Sequence, residues 1–177
     1  MHTIWSRINN ISALLSSCMM GLFAAIALSS LAQQFFQAPL DPSSVSITSL
    51  KVAPGKGKQS KVDHALVQFE LDANLTPLFN WNTKQLFVYL DAEYTNSKGV
   101  KNSVVIWDRI VRSKSSAKFH VEARQKYAFR DVTGFRDSAA TYTLRYNLMP
   151  HVGALVYGVA GSTNNSIPFP PLAKNNV

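Results

Sequence analysis

Between Arg7 and Asp41 the chain carries no charged side chain, and this gap constrains the rest of the fold. Within it, Ile11–Ala32 is a run of Leu, Ile, Ala, Met, Phe and small polar residues. As a helix it reaches about 33 Å at ~1.5 Å per residue, enough for a hydrocarbon core of about 30 Å. Its serines and Gly21 are tolerable, because a helix satisfies its own backbone polar groups. Ser30-Leu31-Ala32 also has the small-x-small form of a signal-peptide cleavage site. The apolar run exceeds the usual core of such a peptide, so the reading adopted is an uncleaved anchor, with cleavage after Ala32 as the alternative. Arg7 flanks one end and Asp41 is the first charge past the other. The positive-inside rule then puts residues 1–10 in the cytosol and residues 40–177 across the membrane.

A chain of 177 residues leaves room for one further domain. Its net charge of +8 raises nucleic acid as a partner, but the cations after Pro39 are scattered through alternating sequence, and no nucleic-acid role is expected. The single cysteine, Cys18, excludes an intrachain disulfide framework and a cysteine-based zinc site. It reads as apolar filler in the span.

After Asp41-Pro42 the periodicity becomes two. Val67, Phe69 and Leu71 alternate with Gln68, Glu70 and Asp72, giving an inward and an outward face. Leu86, Val88, Leu90, Ala92 and Tyr94 repeat the pattern, as do Tyr142, Leu144, Tyr146 and Leu148. Val104–Trp107 is a continuous apolar run, the signature of a strand covered on both faces. Shorter candidates are Val45–Leu50, Phe119–Ala123 and Leu155–Val159. Asn96-Ser97-Lys98-Gly99 closes a hairpin, and Pro54–Lys58 and Val132-Thr133-Gly134 are loops. No long helical period follows residue 40. The fold class is therefore all-β, an antiparallel β-sandwich preceded by one transmembrane helix. Ile167–Pro171 is too rich in proline for a central strand and reads as an extended strap.

Catalytic chemistry is hard to find. His2, His64, His120 and His151 are dispersed, and no G-x-S-x-G elbow occurs. Asp91 and Glu93, two apart on one strand, have the spacing of a carboxylate pair about 7 Å apart, yet they read more simply as a solvent face. Gly55–Lys61 lacks phosphate-loop spacing and reads as a basic loop. No cofactor or metal site is expected from any motif. Sequons start at Asn10, Asn74 and Asn164. The first borders the anchor and the second precedes Pro77, so Asn164 is the candidate for N-glycosylation. Leu78-Phe79-Asn80-Trp81-Asn82 places two aromatics in a polar loop, the composition interface hot spots use. The competing reading is a loop folded over the open end of the sandwich.

At these residues the chain resembles the signal peptidase complex subunit 3 family. The resemblance rests on Leu78–Tyr94, Val104–Val111, Asn147–Leu155 and Ile167–Pro170, in order along the chain. It implies a type II protein of the endoplasmic reticulum membrane with a luminal β-sandwich that is not itself the protease. The partners it implies are the catalytic serine-protease subunit, the other small membrane subunits and the lipid bilayer. Phe79, Trp81, Trp107, Pro168, Phe169 and Pro170 are then the candidate subunit-interface residues. Animal members usually carry a sequon just before the last long strand, where Ala139-Ala140-Thr141 offers no asparagine. The alternative function is a secreted or membrane-anchored β-sandwich binding module. A third is a hydrolase using Asp91 and Glu93.

Overall fold

The computed structural model describes residues 3–36, 40, 45–54, 63–132, 135 and 138–169. Helix α1, Ile4–Phe36, comes first. It is longer than the 11–32 stretch expected from apolarity, because a helix entering water through Asn9, Asn10 and Gln33 keeps its backbone bonds and needs no apolar side chains there. The serine hydroxyls in the span turn back on their own helix: Ser12 donates to Ile8 O, Ser16 to Ser12 O and Ser17 to Ala13 O, at 2.9–3.0 Å. Segment Ile4–Gln33 is long and apolar enough to cross a bilayer.

Among the described residues nine strands follow: β1 Val45–Pro54, β2 Asp63–Asn74, β3 Thr83–Thr95, β4 Lys101–Val111, β5 Lys118–Arg124, β6 Phe129–Asp131, β7 Ala139–Pro150, β8 Val156–Ser162 and β9 Ile167–Pro168. They form two antiparallel sheets. Sheet A runs β1-β2-β5, with β6 also paired to β2; sheet B runs β4-β3-β7-β8, with β9 also paired to β7. Alternation fixes the faces. Ala65, Val67, Phe69, Leu71 and Ala73 of β2 point inward against Leu86, Val88, Leu90 and Ala92 of β3 and Tyr142, Leu144 and Leu148 of β7, all in one core. The β3–β4 hairpin forms at the expected place. Gly99 adopts φ +78, and Asn96 Oδ1 accepts the N–H groups of Lys98 and Val100. Of the expected loops Pro54–Lys58 and Val132–Gly134, residues 55–58 and 133–134 lie outside the described residues, as does the basic stretch 55–61.

The run Val104–Trp107 behaves differently from the expectation. β4 is an edge strand, and Leu90 pairs with Trp107 while Asp91 pairs with Val105, which leaves Ile106 as the extra residue of a bulge. The bulge turns Ile106 and Trp107 both inward and leaves Val105 37% exposed. Continuous apolarity here records a bulge, not burial on two faces. The released Ile106 carbonyl accepts the N–H groups of Lys126 and Tyr127, and both side chains bond Asp108, which ties the β5–β6 link across the edge of the sandwich.

Candidate assembly surfaces

The six candidate residues do not form one patch. Phe79 and Trp81 lie just before β3, at the end where α1 meets the β domain. Eleven residues along β3, about 36 Å away at ~3.3 Å per residue, Tyr94 joins Phe129, Phe135 and Phe169 in a cluster of edge-on rings. Phe169 stacks on Phe135 at 4.4 Å, so the strap uses this ring to close the far end of its own core. Pro168 is exposed and Pro170 lies outside the described residues. Trp107 is 8% exposed and sits edge-on to Phe69 at 5.8 Å. The inward turn of the bulge accounts for this, and a ring so placed packs within the domain and not on its surface. Phe79 is half-buried against the core, whereas Trp81 is 59% exposed. Asn164, in the link from β8 to β9, is exposed.

Around Trp81 the polar groups are tightly bonded. Asn82, nearly fully buried, donates from Nδ2 to Ser30 Oγ of α1 and to Val152 O, and its Oδ1 accepts the Val152 N–H. Its backbone carbonyl accepts the His151 N–H at 2.8 Å. Asn80 Oδ1 accepts from the Asn82 N–H and the Thr83 hydroxyl. Gly153, at φ +123, lies where an added Cβ would come 3.8 Å from Ala27. The loops 79–83 and 150–153 therefore clasp the face of α1 formed by Ile26, Ala27 and Ser30, which are covered while the rest of residues 3–33 is exposed. This latch was not legible beforehand, since its partners are 52 and 70 residues apart.

Asp91 and Glu93 separate in role. Asp91 is 3% exposed: the Ser103 hydroxyl reaches both its oxygens at 2.8 and 2.9 Å, and Arg145 Nε lies 3.3 Å from Oδ2. Arg145 also pairs with exposed Glu93. The solvent-face expectation therefore fails for Asp91, because Ser103 of β4 and Arg145 of β7 cover it. Both carboxylates are committed to one arginine, an arrangement of a structural ion pair and not of an acid and base kept apart in protonation.

His120 is exposed, with Nδ1 2.8 Å from Asp72 Oδ1 and Nε2 3.8 Å from Glu70 Oε1. The Asp72 hydrogen bond holds its pKa above the ordinary value. Ligand atoms of Glu70, Asp72 and His120 lie within 4.8 Å of one another, a group able to hold a cation. Spacing could not reveal it, because two members come from β2 and one from β5. Where β2 changes partner from β6 to β5, a groove of about 630 Å³ is lined by Leu66, Arg124, Gln125, Lys126 and Tyr127.

The outer face of sheet B was also missed. Register aligns Tyr157, Asn147, Phe87 and Ile110 in one cross-strand row, and Val159, Arg145, Tyr89 and Asp108 in the next. Phe87 stacks on Tyr89 at 5.6 Å, and Tyr157 is 69% exposed. Aromatic and aliphatic side chains are interleaved here with Asn147, Arg145 and Asp108, on a sheet whose other face is already buried.

A family model described as "Signal peptidase subunit" matches residues 1–171. The chain is 43% identical over 122 residues to signal peptidase complex subunit 3 of Yarrowia lipolytica, covering 67% of this chain and 64% of that protein. It thus spans just under two thirds of the length of that fungal relative. Against the subunit 3 proteins of Gallus gallus and Homo sapiens it is 34% and 33% identical over 178 and 176 residues, covering 96% of this chain and 95% of each.

Proposed function

This chain belongs to the signal peptidase complex subunit 3 family, and from that premise we propose that it is a non-catalytic accessory subunit. In this reading it supports and positions a serine-protease subunit that removes signal peptides from proteins entering the endoplasmic reticulum. It is a single-pass type II protein, with residues 1–10 cytosolic and the β domain luminal. The observation that carries the reading is family membership across nearly the whole chain. The arrangement of titratable groups agrees with it: both nitrogens of His120 face carboxylates, Asp91 and Glu93 share Arg145, and His151 is exposed on the latch loop.

Assembly on this reading uses the outer face of sheet B, where Phe87, Tyr89, Tyr157 and Val159 give the aromatic and aliphatic contact that protein interfaces concentrate at their centres. Phe79 and Pro168 remain proposed contact residues at its two ends, and Asn164 a proposed glycosylation site. The test is affinity purification of tagged full-length protein from microsomes in mild detergent. Recovery of a serine-protease subunit with cleavage activity, on a bait that still carries residues 1–32, supports the proposal. A bait recovered alone, trimmed near Ala32 and soluble without detergent, overturns it in favour of a secreted binding module.

A further inference from the structure

We infer that the Asn82 latch plants Trp81 and the neighbouring loop 150–155 in the lipid headgroup layer, so that these residues bind the membrane and not a partner subunit. The inference rests on the proposed reading of α1 as a membrane span. Its first support is depth. Arg7 is the one formal charge in α1, and Asn9 and Asn10 follow it, so the hydrocarbon begins near Ile11. About 20 residues cross it, which ends the hydrocarbon near Ser30. Ser30 is the residue Asn82 holds. Trp81 adjoins Asn82 in sequence, and consecutive Cα atoms are about 3.8 Å apart. Its backbone is therefore fixed at the depth where hydrocarbon gives way to headgroups.

The two exposed tryptophans agree with this. Trp5 and Trp81 are both strongly exposed. From Trp5 to Ser30 the helix rises about 38 Å at ~1.5 Å per residue, close to the 40–45 Å of a bilayer with its headgroup regions. The pair thus brackets one membrane, and tryptophan concentrates at both of its interfaces. A second, independent support is the bonding of the loop. Asn80, Asn82 and Thr83 satisfy one another, Ser30 and the 151–152 backbone. A loop at the edge of a low-water layer needs that closure. Leu155, 40% exposed on the adjoining loop, adds an apolar side chain at the same end.

The test is depth-dependent quenching of the full-length chain carrying Trp5→Phe and Trp107→Phe, reconstituted in phosphatidylcholine vesicles brominated either high or low on the acyl chain. Trp81 emission is expected to be blue-shifted and lost more strongly to the shallow bromines than to the deep ones. If Trp107→Phe does not fold, the same quenching is read as the difference between the Trp5→Phe protein and its Trp81→Phe derivative. Emission quenched by aqueous acrylamide and untouched by either lipid overturns the inference. So does a Trp81 in the purified complex, in the same lipids, that is shielded from both reagents, since a partner subunit then covers it. Flotation separates the premise from the inference. Protein that does not float with the vesicles refutes the span, whereas protein that floats with an unquenched Trp81 refutes only the lipid contact.

Discussion

Asn82→Ala removes the centre of the junction between α1 and the β domain. Three side-chain hydrogen bonds are lost, one to Ser30 and two to Val152. Each contributes about 0.5–1.5 kcal/mol net, and buried partners left without a bond add to the cost. The sum is a destabilisation of about 2–4 kcal/mol. In a domain of this size, each kcal/mol moves the midpoint by roughly 3–5 °C, so Tm falls by about 10 °C. The assay is thermal unfolding of the full-length protein in detergent, followed by near-ultraviolet circular dichroism. Ser30→Ala tests the helix link by itself. It removes one bond and is expected to cost about 1 kcal/mol, and in the Asn82→Ala background its cost should vanish. An Asn82→Ala change below about 0.5 kcal/mol refutes the latch. Additive effects of the two substitutions show that the residues do not interact.

Further expectations follow from single residues. An added Cβ at Gly158 would fall 2.3–2.7 Å from ring atoms of Tyr146 across the β7–β8 pair, so Gly158→Ala displaces the ring and costs about 1–3 kcal/mol, and the same substitution made in a Tyr146→Ala background costs little, as compared by urea melts. Among the described residues the buried Tyr142 hydroxyl has no hydrogen-bond partner, and burial raises its pKa; Tyr142→Phe therefore leaves stability unchanged or raises it by about 1 kcal/mol, and a loss of more than that in calorimetry contradicts the assignment. The Asp72 bond raises the His120 pKa in the folded state, so the stability it supplies is complete below the unfolded value of about 6.5 and is lost as pH rises through the folded value. Asp72→Asn should return the imidazole titration, read by NMR, toward the ordinary value.

Much of the β domain was readable from alternation, because period-two burial depends only on near neighbours along one strand. Val67–Leu71, Leu86–Tyr94 and Tyr142–Leu148 face as their spacing requires, and Asn96–Gly99 turns where its residue types prescribe. What was not readable depends on register between distant segments. Asp91 and Glu93 look alike in sequence, yet Ser103 and Arg145 bury only the first. The bulge opposite Leu90 moves Trp107 into the core, and Phe169 is drawn inward by Phe135. Asn82 looked like one polar residue among several in its loop. Its importance comes from Ser30 and Val152, which no local window contains.

The central claim is that this chain supports cleavage without performing it. The most direct measurement is signal-peptide cleavage by a complex reconstituted in lipid with and without the chain, beside the chain alone. The account predicts no cleavage by the chain alone and a marked loss of activity when it is omitted. Cleavage by the chain alone, or full activity in its absence, contradicts it.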